Sequence, residues 1–289
     1  MLWPYIRNDM YKLLDDHPCD IFVSVHPLVN IPLLRAMRKR SLHCPYLIVV
    51  TDLVSTHTAW YAKEADLVII PTNQAVSRAI KSNVDPEKIK VIGLPVDEKF
   101  QSSKKTRDAS RMEYGWPDKT PVILLVGGGE GMGPLEEIAK AINDECLNAG
   151  IVVVTGRNQR LKQKLEKVNW NIPAFIYGFR KDMPDLMRAA DILITKAGPG
   201  TISEALISGL PIILYHRIPG QEEGNVSYVI NEGAGIWAPE IPDIVASLKN
   251  WLDYPERRME AVNNAQRIAK PNASKEIAAV ISEYLESSH

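Results

Sequence analysis

Short apolar runs, rich in β-branched residues, recur along this chain, and most are followed within a few residues by a stretch of helical period. In the first third the runs at 21–25, 46–51, 67–71 and 88–92 predict strands. Residues 5–14, 28–40, 59–65 and 73–82 predict helices between and before them. The same texture resumes at 121–126, 151–155, 174–177, 191–195, 210–214 and 235–237 for strands, with helices over 134–147, 160–168, 184–189, 201–209 and 221–232 and others starting at Pro242, Pro255 and Ala273. Runs that are apolar without alternation suit strands buried on both faces, and their regular exchange with helices predicts an α/β fold built on doubly wound parallel sheets.

Between the two series, residues 100–119 turn polar and charged, opening with Ser102-Ser103-Lys104-Lys105, and predict a linker. The chain therefore reads as two successive Rossmann-like domains, 1–104 and 105–270, with a terminal helix over 271–289 that can pack back on the first. The start is unusual for such a domain, because Met1-Leu2-Trp3-Pro4 leads into a helix with no strand before it. A net charge of −1 does not favour wholesale nucleic-acid binding. No run reaches the roughly 20 apolar residues of a membrane-spanning helix. Three scattered cysteines and six unclustered histidines give neither a disulfide framework nor a metal site, which leads to the expectation of a reducing cytoplasm and no metal.

Candidate chemistry gathers where strands end. After the run 191–195, Lys196-Ala197-Gly198-Pro199-Gly200 makes a turn into a helix that Thr201 can cap, which is an anion site by its free N–H groups and dipole. Glu204 has two readings. It can close a capping box with Thr201, or it can accept hydrogen bonds from two hydroxyls of a ligand whose phosphates sit on the turn. The glycine-rich turn from Gly127 to Gly133, containing Gly128, Gly129 and Gly131, follows another buried strand. It is either a hinge or a place of close ligand approach; it lacks the Gly-Lys-Ser/Thr of a P-loop, and no acid ends the next strand as a dinucleotide site requires. Gln221, Glu222 and Asn225 project from the same edge, as an acidic first helical turn or as partners for a polyhydroxylated ligand. His26, Asp52 and His57 sit at or beyond the ends of the first-half strands, as caps or as a general base. Arg35, Arg38, Lys39 and Arg40, interleaved with Leu33, Leu34 and Met37, make either a solvated helix end or a basic amphipathic surface for anionic lipid.

Taken together, GGGEGMGP, TGRN (155–158), GF (178–179), ITKAGPGTISEAL, GLPIIL and PGQEEGNVSYV resemble the donor domain of the processive diacylglycerol glycosyltransferases, the monogalactosyldiacylglycerol synthase family of glycosyltransferase family 28. SVHPL (24–28), TDL (51–53) and GLPV (93–96) resemble that family's acceptor domain. The resemblance implies a GT-B architecture, two Rossmann-like domains facing a cleft, with a UDP-sugar donor, inverting chemistry, and neither metal nor further cofactor. It implies that Gly198, Pro199, Gly200 and Thr201 receive the diphosphate and that Glu204 binds the ribose, while Lys196 either senses phosphate charge or is a solvated loop lysine. Gln221 and Glu222 would bind the hexose hydroxyls, with Asn225 also at the donor. Gly178 and Phe179 would flank the uracil, with Arg157 and the glycine turn also at the donor. A glycine-rich loop ending in histidine, which opens family members, has no match here, so the first domain is expected to be incomplete; Asp52, His57 or His26 remains as base.

The function expected is transfer of galactose or glucose from UDP-galactose or UDP-glucose to diacylglycerol, at the inner face of the cell membrane with peripheral contact to anionic lipid. Two other readings stay open: N-acetylglucosaminyl transfer to a polyprenyl-linked peptidoglycan precursor, and an inactive UDP-sugar-binding module.

Overall fold

The computed structural model describes residues 3–102 and 105–287; Met1-Leu2 of the unusual start and Ser103-Lys104 of the predicted linker lie outside the described residues. The chain divides into two compact units, one of residues 1–95 with 272–289 and one of residues 96–271.

The first unit runs α1 (Trp3–Asp16), β1 (Phe22–Ser24), α2 (Pro27–Lys39), β2 (Tyr46–Val49), β3 (Leu67–Ile70), α3 (Asn73–Lys81) and β4 (Ile89–Val91). Its strands pair in parallel in the order β1-β2-β3-β4. Winding that advances in one direction, with right-handed crossovers, puts the crossover helices on one face. There Tyr46, Ile48, Val68 and Ile70 pack with Leu33, Met37, Ala75 and Ala79. The alternate strand residues Leu47, Val49, Leu67 and Ile69 point the other way and need a different cover. The C-terminal helix Ala273–Ser287 supplies it, with Ile277 buried against them and Val280, Ile281 and Tyr284 beside it.

The helix expected over 59–65 is absent; only a single 3₁₀ turn, Thr58–Trp60, forms. Trp60, Tyr61, Ala62 and Ala65 are all buried. A helix exposes one side of such a run, whereas an irregular segment buries successive residues.

The second unit runs α4 (Lys99–Ser102), α5 (Arg107–Tyr114), β5 (Val122–Val126), α6 (Leu135–Asp144), β6 (Gly150–Val154), α7 (Gln159–Leu165), β7 (Ala174–Tyr177), α8 (Met183–Ala189), β8 (Ile192–Lys196), α9 (Pro199–Ile207), β9 (Ile212–His216), α10 (Glu223–Asn231), β10 (Gly235–Trp237), α11 (Ile241–Asp253) and α12 (Pro255–Ile268). All six strands are parallel in the order β10-β9-β8-β5-β6-β7, the Rossmann order with its reversal between β5 and β8. Ile123, Leu125, Ile151, Val153, Ile192 and Ile194 meet α6 and α11 on one face. Leu124, Val152 and Leu193 are fully buried on the other.

The predicted linker over 100–119 is instead ordered as α4 and α5. Thr106 Oγ1 accepts from Ala109 N at 3.2 Å to cap α5, and Gly115 ends it in the left-handed conformation at φ +67°. The segment is tied down by Arg111, a buried side chain that pairs with Asp191 and donates to the carbonyl of Ala189 at 2.9 Å. Asp191 in turn accepts from Val122 N at 2.7 Å, fixing the entry to the central strand.

Candidate functional site

In an open α/β sheet, ligands bind outside the carboxyl ends of the strands where the order reverses. That place lies between β5 and β8, and the two turns singled out by sequence leave those two strands: Gly127–Gly133 after β5, and Ala197–Gly198 after β8.

The glycines of the first turn divide by what surrounds them. A Cβ on Gly131, at φ +60°, would lie 2.1 Å from the Thr155 carbonyl oxygen, and one on Gly127 would lie 2.6 Å from the Met132 oxygen. On Gly133 it would enter the Tyr215 ring, whose hydroxyl donates to Met132 O at 2.9 Å. Those three are required by packing. Gly128 and Gly129 meet nothing closer than Lys196 Cε at 3.7 Å and Arg157 Nη1 at 3.8 Å, so close ligand approach is available at these two positions. Gly200, on α9, has nothing within 4 Å. Replacing Gly131 by Ala should cost about 2–3 kcal/mol in stability from strain and overlap. Gly200→Ala should leave melting unchanged or slightly raised, yet lower affinity for UDP by roughly tenfold, equivalent to about 1.4 kcal/mol. Thermal melts beside calorimetric UDP titrations check both.

The α9 terminus corrects the expected cap. The helix begins at Pro199, with Gly198 at the N-cap and no side-chain cap bond, so Thr201 lies inside the first turn and Glu204 a turn further in. Pro199 has no N–H, Gly198 N donates to Lys196 O at 2.8 Å, and Ile202 N donates to Gly198 O at 3.1 Å. The N–H groups of Gly200 and Thr201 are left as free donors among the described residues. Lys196 places its ammonium beside this positive helix end, 3.1 Å from where a Gly198 Cβ would be. Two positive elements side by side call for an anion. Glu222 Oε1 meets Lys196 Nζ at 2.9 Å.

Glu222, expected at the hexose, is held between Lys196 and the turn after β9. It is 2% exposed, with Oε2 accepting from Ile218 N at 2.8 Å. Gln221, immediately before it, is exposed. Asn225 is buried; its Nδ2 donates to Ala197 O at 2.9 Å, bracing the anion turn, and its Oδ1 has no partner among the described residues.

Glu204 lies one turn after Gly200 and therefore on the same side of α9. No side chain or backbone N–H among the described residues donates to its carboxylate. Burial, reinforced by the charge of Asp97, pushes its carboxyl up to about 7. At the far side of the glycine turn, the Arg157 guanidinium lies 5.1 Å over the half-exposed Phe179 ring and pairs with Glu130 at 2.5 Å. Gly178 sits beside Gln159 and Lys162 with 3.5 Å or more of room.

In the first unit, His26 and His57 are both caps. His26 Nδ1 accepts from Leu28 N at 3.3 Å at the start of α2, and His57 Nδ1 accepts from Ala59 N at 3.0 Å. In this conformation the Nδ1 of each ring is already engaged as an acceptor. Asp52, just beyond the end of β2, accepts from Trp60 Nε1 at 2.7 Å through Oδ2 and keeps Oδ1 free among the described residues. Trp60 escaped the sequence reading because a buried aromatic eight residues from an acid carries no spacing signal. The Lys196–Glu222 pair escaped it too, because its partners are 26 residues apart; their adjacent strand exits were the available clue.

Leu33 and Met37 are core residues of α2, so they do not form the expected apolar surface; Leu28 and Ile31 are its exposed apolar residues, at 69% and 56%. Arg35 stacks on Trp3 at 4.7 Å, and Arg40 stacks on Tyr11 at 4.7 Å while pairing with Asp15 at 3.0 Å.

Two parallel α/β units, one of Rossmann order with glycine turns at its reversal, define a chain of the GT-B class. The likeness to solved structures agrees. MurG of Acinetobacter baumannii matches with a TM-score of 0.69 at 19% identity, over 96% of this chain and 78% of that one. The UDP co-structure of Staphylococcus aureus MnaA matches with a TM-score of 0.72 at 16% identity, over 99% of this chain and 81% of that one. At such identities the likeness shows the fold alone.

The sequence profile described as the glycosyltransferase family 28 C-terminal domain matches residues 122–279, and the chain belongs to that family. A second profile, described as monogalactosyldiacylglycerol (MGDG) synthase, matches residues 1–96. Monogalactosyldiacylglycerol synthase 1, chloroplastic, of Arabidopsis thaliana is 38% identical over 93% of this chain and 52% of its own length. Probable monogalactosyldiacylglycerol synthase 2, chloroplastic, of Oryza sativa subsp. japonica is 40% identical over 93% of this chain and 60% of its own length. The chain thus spans about half the length of the curated relatives it matches.

These relatives overturn the expected placement in the cytoplasm at the inner face of the cell membrane, since they are named as chloroplastic. Free cysteines fit any reducing compartment and do not say which one. Among the described residues no helix is long and apolar enough to cross a membrane.

Proposed function

We propose that this chain transfers galactose or glucose from a UDP-sugar to the free hydroxyl of diacylglycerol, with inversion at the anomeric carbon. The observation that carries the donor half is the open terminus of α9. Free N–H groups at Gly200 and Thr201 and the Lys196 ammonium meet at the sheet reversal beside two unobstructed glycines. In this reading the diphosphate lies on that turn, where backbone donors and the helix dipole stabilise the charge that develops as UDP leaves. Glu204 accepts from the ribose hydroxyls, Phe179 and Arg157 offer a stacking face to the uracil, and Gln221 and Asn225 serve the hexose. No cofactor beyond the nucleotide sugar is invoked. The bound UDP of the MnaA structure supports a uridine nucleotide as ligand of this fold.

The acceptor half rests on the profile match over residues 1–96 and on Asp52. Its free oxygen takes the proton of the acceptor hydroxyl as the hydroxyl oxygen bonds to C1 of the hexose and the bond from C1 to the UDP oxygen breaks. Leu28 and Ile31, with Arg38 and Lys39 on the same helix, would contact an anionic membrane surface and bring the lipid acceptor within reach.

The test is acceptor choice with radiolabelled donors. Label from UDP-galactose or UDP-glucose should enter lipid in the presence of diacylglycerol vesicles. Label from UDP-N-acetylglucosamine entering a polyprenyl-linked peptidoglycan precursor would replace the proposal with the other transfer reaction, and UDP binding without any transfer would reduce the chain to a binding module.

A further inference from the structure

A buried polar chain runs through the first unit beneath its candidate base, and nothing in the sequence motifs assigns it. Asn30, on the inner side of α2, is fully buried. Its amide uses both ends. Oδ1 accepts from Ser24 Oγ at 2.5 Å and from Tyr46 Oη at 3.1 Å. Nδ2 donates to Trp60 O at 3.1 Å and to Ala59 O at 3.4 Å. Ser24 Oγ is also within 3.2 Å of His26 O. One side chain therefore joins three segments: the exit of β1, the start of β2, and the 3₁₀ turn Thr58–Trp60.

That turn has little regular structure to hold it. Trp60 is nevertheless fixed: its backbone is clamped by Asn30, its ring is 1% exposed, and its Nε1 donates to Asp52 Oδ2 at 2.7 Å. A donor aimed at one carboxylate oxygen orients the group and leaves the other oxygen available. A fully satisfied buried network is stiff, because any rearrangement strands a polar group in a medium where that is costly.

We propose that Asn30 and Trp60 are positioning residues for Asp52, Asn30 holding the Trp60 turn so that the indole N–H fixes the carboxylate in the orientation its proton transfer needs. The inference rests on the reading of Asp52 as the base. Other ionisable groups in this corner are Tyr61, His57 and Arg78. Tyr61 Oη lies 2.5 Å from Thr56 Oγ1, and burial, with the charge of Asp52 adding to it, keeps the phenol neutral. His57 caps the 3₁₀ turn through Nδ1, and Arg78 Nη1 donates to Thr56 O at 3.0 Å.

The experiment uses the full chain and two variants, Trp60→Phe and Asn30→Leu, beside Asp52→Asn. Trp60→Phe keeps the aromatic bulk and removes only the donor. It should lower kcat roughly tenfold, with UDP affinity and the donor KM unchanged, because the carboxylate loses the donor that orients it. A mere packing role would lower thermal stability along with kcat, whereas Trp60→Phe, which keeps the aromatic bulk, should melt like the parent. In nitrogen-labelled protein the Trp60 indole resonance, assigned by its loss in Trp60→Phe, should sit at a hydrogen-bonded chemical shift that Asn30→Leu displaces.

A parental kcat in Trp60→Phe, or an Asn30→Leu protein with the wild-type indole resonance, would overturn the inference while Asp52→Asn stays inactive. Turnover retained in Asp52→Asn would instead remove the functional reading beneath it. Should Asn30→Leu fail to fold, Trp60→Phe decides the matter alone.

Discussion

Asp52→Asn should lower hexosyl transfer by about a hundredfold to ten-thousandfold, the usual range for loss of a general base, and leave UDP affinity unchanged. The substitution is nearly isosteric, and the amide oxygen can still accept from Trp60 Nε1, so the local fold has no reason to change. What is lost is the free oxygen's ability to take a proton. Every residue proposed to touch the nucleotide belongs to the second unit, so calorimetry with UDP should not distinguish the variant from the parent. Steady-state transfer assays and UDP titrations on the same preparation test the pair of outcomes together. Retained turnover would move the assignment to His57 or His26, each of which would have to release its capping nitrogen first.

Glu204→Gln should make the protein more stable and a poorer binder of UDP. The Glu204 carboxyl titrates near 7 in the fold because burial and Asp97 disfavour its charge, against an ordinary value near 4.5. The folded state therefore holds a proton that the unfolded state has released across this interval. A raised folded value gives stability that is complete below about pH 4.5 and is lost as pH rises through about 7. At pH 8 the native protein carries an ill-solvated carboxylate, and Gln relieves it. The melting temperature of the variant should exceed that of the parent at pH 8 and match it near pH 4.5. Ligand binding should move the other way. Hydrogen bonds to a charged acceptor contribute about 1.5–3 kcal/mol, so UDP affinity at pH 8 should fall roughly tenfold to a hundredfold. The parent should also lose affinity relative to the variant as pH falls below 7, a difference in which the titration of the diphosphate itself cancels. A residue that costs stability and is repaid only by ligand is the pattern expected at a binding site. Unchanged UDP affinity in the variant would assign Glu204 to the fold alone.

Much of this was legible in the sequence because the controlling physics is local. Unbroken β-branched runs such as Val122–Val126 and Ile192–Lys196 declare buried parallel strands, and the glycines after them declare turns. The order of strands was not legible, since pairing β5 with β8 joins residues nearly 70 apart. The same non-locality hid the character of residues 100–119: α5 is polar enough to read as linker, and only the pairing of Arg111 with Asp191 shows why it is fixed. At α9 the error was one of frame. Thr201 followed by Glu204 has the capping-box spacing, but Pro199 prefers the first helical position and starts the helix two residues earlier. Among the glycines of the first turn, sequence gave no means of telling those that packing demands from Gly128 and Gly129, because the answer depends on Thr155 and Tyr215 from other strands.

The central claim is hexosyl transfer with inversion to a lipid hydroxyl, and the anomeric configuration of the product tests it most directly. With UDP-α-galactose or UDP-α-glucose and diacylglycerol vesicles, proton NMR of the isolated lipid should show a β-linked hexose on the glycerol hydroxyl. An α-linked product, or free hexose with no glycolipid, would contradict it.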